Sequence, residues 1–149
     1  MKIITVSARF LLGFIFLVFG LNGFLHFIPA SSPPSGTAGQ FVAALLVSNY
    51  LVVVFLFQLI SAILLLINRY VPLALTLLAP IIVNILLFHI LMLPSGLALA
   101  IVVTVLWIVV FLSVRSAFAG LLQQRIPAKG RREQSHAVVF RNHRGGTYA

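Results

Sequence analysis

Cysteine and aspartate are absent from this chain, and Glu133 is its only carboxylate side chain. Without thiolates there is no disulfide chemistry, no iron–sulfur cluster and no thiolate zinc site. Without paired carboxylates there is no glycosidase-type acid/base pair, no Ser-His-Asp triad and no carboxylate Mg2+ site. Charge of either sign is scarce. Only 7% of the 149 residues are charged, against about 25% in soluble domains. The alternating pattern of a membrane β-strand is missing as well.

What is present is hydrophobic. Apolar residues make up 62% of the chain, and mean hydropathy is +1.19. A chain of this length cannot hide so much apolar surface from water, so its solvent must largely be lipid. A transmembrane helix needs about 20 mostly apolar residues. Four segments qualify, over 10–28, 41–67, 71–93 and 97–114. The expected fold is all-α, a four-helix transmembrane bundle over 1–117 with a basic tail over 118–149. Short connections make sequential helices antiparallel neighbours.

Cations orient the bundle. Lys2 and Arg9 precede the first segment, Arg69 lies between the second and third, and Arg115 closes the fourth. Arg125, Lys129, Arg131, Arg132, Arg141 and Arg144 lie beyond it. The two opposite connections, 29–40 and 93–96, carry no charge. The positive-inside rule places both termini in the cytoplasm. An N-terminal leader cleaved near Ala30 is the competing reading. The length of the 10–28 run, with Asn22 and His26 inside it, favours a retained helix. The tail has one short apolar run, Ala137 to Phe140, cannot bury a core and is expected to be disordered. Arg69, Arg115, Arg125, Lys129, Arg131 and Arg132 are candidate contacts for anionic lipid headgroups, worth about 1 kcal/mol per cation near the surface. The same charges serve topology alone equally well. The bilayer is a nearer anionic partner for them than nucleic acid.

Gly13, Gly20 and Gly23 fall close to one face of the first helix and suit close helix packing in lipid. Pro72 starts the third segment, where its missing N–H is harmless, and Pro80 falls inside it and should kink it. Trp107 lies about 12 Å inside Arg115 at helical rise, so its indole needs an internal acceptor.

Polar side chains inside lipid are the default functional candidates. Counted from the flanking cations, Gln58 lies near mid-bilayer, Asn22 and Asn84 roughly 20 Å up, and His26 and His89 roughly 25–30 Å up. These five are the candidate ligand-binding set. Asn22 and His26, four apart, share a helix face, whereas Asn84 and His89, five apart, do not in an ideal helix. The series Asn22, His26, Pro29 and Asn84, His89, Pro94 suggests a weak two-hairpin repeat. For the histidines, structural hydrogen bonding, contact with a quinone carbonyl or headgroup, and axial haem ligation all fit. Zinc would find half its ligands missing. For Asn22, Gln58 and Asn84, interhelical hydrogen bonding competes with ligand contact.

Three stretches resemble the DoxX-like family of small bacterial membrane proteins: RFLLGFIFLVFGLNG over 9–23, LLLINRYVPLAL over 64–75 and APIIVNILLFH over 79–89. The resemblance spans about residues 8–118 and leaves out the tail. It implies a four-helix, multi-pass protein of the bacterial inner membrane, in a family associated with quinone-linked sulfur oxidation and membrane redox complexes. Members often carry an acidic residue ten positions before the asparagine of the second connection. Here that position is Gln58, which cannot ionise, so a proton-coupled role there is not expected. The leading expectation is an accessory or structural subunit of a membrane redox process, without catalysis of its own and with a membrane or redox protein as partner. A quinone- or haem-binding oxidoreductase subunit is the alternative. A small-solute or lipid transporter is the third reading. Four helices would make a narrow pathway, so it calls for a homo-oligomer.

Overall fold

The computed structural model describes residues 2–29 and 34–122. It is all-helical. The helices are α1 (Lys2–Leu25), α2 (Gly36–Val47), α3 (Tyr50–Leu66), α4 (Val71–Leu91) and α5 (Leu97–Val114). A 3-10 turn over Pro94–Gly96 joins α4 to α5, and a 3-10 stretch, Arg115–Leu122, succeeds α5. The described residues up to Phe118 form one compact unit. The tail's Arg125, Lys129, Arg131 and Arg132 lie outside the described residues, as does the expectation that the tail is disordered.

Three helical stretches are long and apolar enough to cross a membrane: Lys2–Leu25, Val71–Leu91 and Pro94–Ala119. A fourth crossing results if α2 and α3 count as one bent span. The outward faces agree with a lipid surround. Ile3, Phe14, Val47, Val83, Leu91 and Val105 all stand exposed, far more apolar surface than a water-soluble monomer tolerates.

Two boundaries differ from those the hydropathy pattern suggests. The helix expected over 10–28 begins at Lys2 and ends at Leu25. Arg9, a flanking charge by its place before the apolar run, is a buried residue within α1. The chain leaves α1 at His26, which adopts a left-handed conformation (φ 50°). The single helix expected over 41–67 is two helices bent by 82°. The break falls at Ser48-Asn49. Asn49 is left-handed (φ 56°), a conformation that asparagine tolerates better than most residues. The amides of Ser48 and Asn49 donate to the carbonyls of Ala44 and Leu46 and so cap α2.

The connection after α3 is a Schellman-type stop. Asn68 is left-handed. Its amide donates to the Leu65 carbonyl at 3.2 Å, and the Arg69 amide reaches back to Leu64 at 3.0 Å. Pro72 then opens α4 in its first turn. Pro80 sits within α4, which continues through it to Leu91.

α1, α3, α4 and α5 pack in that cyclic order, with α1 against α3 the most extensive contact and α5 closing back on α1. α2 packs chiefly on α3. All three α1 glycines face α3, as their common spacing predicts: Gly13 meets Leu65 and Leu66, Gly20 meets Leu59 and Gln58, and Gly23 meets the Phe55 ring. The core proper is Leu12, Phe16, Leu65, Leu75, Leu78 and Val110, with Ala62 and Ala74 letting the helices approach.

Candidate functional site

Polar groups in the helical body divide by whether they have partners. Trp107 finds the internal acceptor its depth requires: its indole N–H donates to the Leu75 carbonyl at 3.0 Å. Its ring stacks on Phe111, 5.0 Å between centroids. The Thr76 and Thr104 hydroxyls donate back along their own helices to the carbonyls of Pro72 and Ala100. Such back-bonding satisfies a hydroxyl without any second helix.

Arg9 is an interior residue that hydropathy does not mark as one. It is 8% exposed. No carboxylate side chain exists among the described residues to pair with it. Instead its Nη1 donates to the Leu65 carbonyl at 2.8 Å, and its guanidinium stands 5.1 Å from the centroid of the Phe10 ring. Leu65 lies in the last turn of α3, where free carbonyls and the helix dipole favour a cation. Arg9 therefore ties α1 to the end of α3.

At the opposite end of the same helices the body is hollow. One cavity of about 450 Å³ is walled by Phe16, Phe19, Asn22 and Gly23 of α1, Phe55 and Gln58 of α3, Ile85 and His89 of α4, then Gly96, Leu99, Ala100 and Val103. A second, about 360 Å³, lies between the α2–α3 elbow and α4, walled by Phe41, Leu45, Tyr50, Val54, Pro80, Asn84 and Phe88 among others. Phe55, Gln58, Ile85 and His89 line both. Each falls within the size range of small-molecule sites, about 300–1,000 Å³.

Gln58 is the centre of this arrangement. It is 6% exposed, and its Oε1 is buried without a hydrogen-bond partner. Its side chain leaves α3 directly over Gly20: a Cβ placed on Gly20 would stand 3.4 Å from the Gln58 Cβ. The carboxamide is thus seated by close packing on one side and meets open volume on the other. Ser61, one turn further along α3, also buries an unpartnered Oγ, and nothing in its sequence setting singles it out.

His89 is half-buried in α4. Its Nδ1 lies 2.8 Å from the Leu93 carbonyl oxygen. A carbonyl only accepts, so Nδ1 carries the hydrogen and the neutral ring keeps Nε2 as an acceptor. The ring lies against Gly96, where any Cβ would overlap it. Asn22 accepts the Ile28 amide on its Oδ1 at 2.7 Å, which holds the chain as it leaves α1 and keeps the Asn22 amide hydrogens free for the cavity it lines.

Of the five candidates, the first cavity thus gathers Asn22, Gln58 and His89, and the second gathers Gln58, Asn84 and His89. Asn84 is exposed. It shares the second cavity with His89 although their ideal azimuths differ, because that cavity wraps around α4 from Pro80 to His89. His26 is exposed and lines neither cavity. The face expected to join it to Asn22 is lost when α1 stops at Leu25. The interhelical hydrogen bonds expected of Asn22, Gln58 and Asn84 do not form among the described residues. The bond that does form there is the local one from Ile28 to Asn22. Haem ligation by His26 and His89 together therefore has one imidazole at the cavities instead of two. No three His, Asp or Glu side chains gather as a metal shell among the described residues. Arg69 and Arg115, the headgroup candidates that are described, are both exposed.

Compared with known protein families, curated proteins and solved structures, the chain matches none.

Proposed function

We propose that this chain is a multi-pass membrane protein of the DoxX-like kind, an accessory subunit that holds a small, mostly apolar molecule of the isoprenoid quinone class beside a membrane redox partner. In this reading α1, the bent α2–α3 pair, α4 and α5 make four spans with both termini cytoplasmic in a bacterial inner membrane. The observation that carries it is Gln58: a buried carboxamide, its Oε1 unpartnered, at the junction of two cavities. In lipid no bulk water is at hand to satisfy such a group, and leaving it unmade costs about 1–3 kcal/mol. A ligand of this class whose polar head carries an O–H to donate to that oxygen, as the reduced quinol form does, offsets the cost. The surrounding walls, Phe16, Phe19, Phe55 and Ile85, suit a flat apolar body. Arg69 and Arg115 are exposed where headgroup phosphates would reach them. Haem is the weaker occupant, because only one of the two candidate histidines meets the cavities.

The test is mass spectrometry of small molecules retained by the full chain in native-lipid nanodiscs. A quinone or quinol near one per chain, depleted in Asn22→Leu and Gln58→Leu preparations, is the expected result. Bulk phospholipid alone in all three would refute ligand binding and leave a purely structural subunit.

A further inference from the structure

The unpartnered group at the junction of the cavities is a hydrogen-bond acceptor. Gln58 Oε1 receives no hydrogen from the protein. His89 adds a second acceptor. Its Nδ1–H is committed to the Leu93 carbonyl, so the neutral ring presents Nε2 with its lone pair free. Asn22 has the opposite polarity, because its Oδ1 is occupied by the Ile28 amide and its N–H groups are free. The walls thus offer acceptors from α3 and α4 and donors from Asn22 of α1 and from the Gln58 amide nitrogen itself.

A carbonyl oxygen accepts only. It can accept from the Asn22 or the Gln58 amide nitrogen but leaves Gln58 Oε1 as bare as before. A hydroxyl both donates and accepts. Its hydrogen can satisfy Oε1 or Nε2 while its oxygen takes the Asn22 N–H. Sites built on a buried polar group reject the analogue that cannot pair with it, since rejection is then set by the group left unsatisfied. We infer that the site selects a hydroxyl-bearing apolar molecule over its carbonyl counterpart: the reduced member of a quinone/quinol pair, or a long-chain isoprenoid alcohol with the same head chemistry. The inference rests on the ligand-binding reading above and adds to it the redox state of the occupant.

The cavities suit such a shape. The hydroxyl end is placed at Gln58 and His89, polar residues common to both. The ring or first isoprene unit occupies the volume by Phe16 and Phe19, and the chain runs past Phe55 toward the α2–α3 elbow. Phe55 forms part of the wall of both cavities, and its ring rests on Gly23, where any side chain would displace it.

The experiment measures binding of three probes to the full chain in anaerobic nanodiscs: a one-isoprene ubiquinone, its quinol, and farnesol. Quinol binding at least about tenfold tighter than quinone, equivalent to about 1.4 kcal/mol, is the expected result. Gln58→Leu removes the acceptor without adding bulk against Gly20 and should bring the two forms within about threefold. Asn22→Leu, the second variant, should weaken both forms and keep the quinol preference. Farnesol binding as tightly as quinol, with the same dependence on Gln58, supports the hydroxyl rule and identifies the isoprenoid alcohol as a source. Equal affinity for quinone and quinol, as expected if a water already satisfies Oε1, overturns the selection while leaving the ligand site standing. Failure of all three probes to bind overturns both.

Discussion

The two ends of the α1–α3 pair are built from the same kinds of residue and reach opposite results. At the Arg9 end Arg9 and Trp107 find partners and the space is filled; between the two ends the Ser61 Oγ is buried without a partner and lines neither cavity. Arg9 donates to Leu65 and the Trp107 indole to Leu75. Leu12, Leu65, Leu75 and Val110 are almost fully enclosed. At the His89 end Gln58 Oε1 has no partner and two cavities adjoin. Both ends use glycine for close approach, Gly13 at one and Gly20 and Gly23 at the other. Close packing is therefore not the property that separates them. The difference lies in the space beside each contact. Next to Gly13 that space is filled by Leu65 and Leu66, whereas next to Gly20 the Gln58 side chain borders open volume. A buried polar group with a protein partner is explained by the fold. One without a partner, beside a cavity, calls for something the chain does not itself supply.

The largest expected effect comes from opening the filled end. Trp107→Ala removes a ring stacked on Phe111 and leaves the Leu75 carbonyl without its donor. It should cost about 2–4 kcal/mol of resistance to unfolding in mixed micelles, read by denaturing-detergent titration. Arg9→Ala should rank second, at about 1.5–3 kcal/mol, the scale of a hydrogen bond from a charged donor. Arg9→Lys should recover part of that loss, because an ammonium can still meet the Leu65 carbonyl. If Arg9→Ala were as stable as the parent, the ordered end would owe nothing to this tie and half of the contrast would fall.

Smaller effects are expected from the hollow end. Gly23→Ala forces its new methyl into the Phe55 ring. The ring borders both cavities and has room to shift into them, so the stability loss should be about 1–2 kcal/mol, with ligand retention falling more sharply than stability. Gln58→Leu should have the smallest effect on the empty protein. It deletes an unsatisfied acceptor, so its stability without ligand should be unchanged or higher by up to about 1 kcal/mol. A loss of ligand retention with no loss of stability separates a binding residue from a structural one.

Much of this arrangement is legible in the order of residues. The apolar runs place α4 and α5 within two residues of their ends, and the glycine spacing on α1 points to one packed face. The depth of Trp107 calls for an internal acceptor, which Leu75 supplies. The features the runs do not reveal are set by tertiary context. A count of hydrophobic residues stops at the first cation, so Arg9 reads as a border, although a guanidinium at a helix C-terminus can be buried. An apolar run of 27 residues over 41–67 reads as one long helix. The signal for its break, Ser48-Asn49, is brief, and only the left-handed conformation of Asn49 makes it decisive. Asn22 and His26 look equivalent by periodicity, but that periodicity ends with the helix at Leu25. Gln58 stands out in the sequence as a mid-bilayer amide. The missing partner of its oxygen does not, because the pairing of a polar group depends on neighbours from other helices.

The central claim is that Gln58 is unsatisfied because the hollow end is made to hold a ligand. The most direct measurement is the unfolding stability of the parent and Gln58→Leu, each compared in delipidated micelles and in micelles supplemented with native membrane lipid extract. Without extract, Gln58→Leu should be at least as stable as the parent, and with extract the parent should gain more stability than Gln58→Leu, as tighter binding of a ligand to the folded state requires. A Gln58→Leu protein destabilised in both conditions, on the scale of Trp107→Ala, would contradict that claim and make Gln58 part of the fold's own framework.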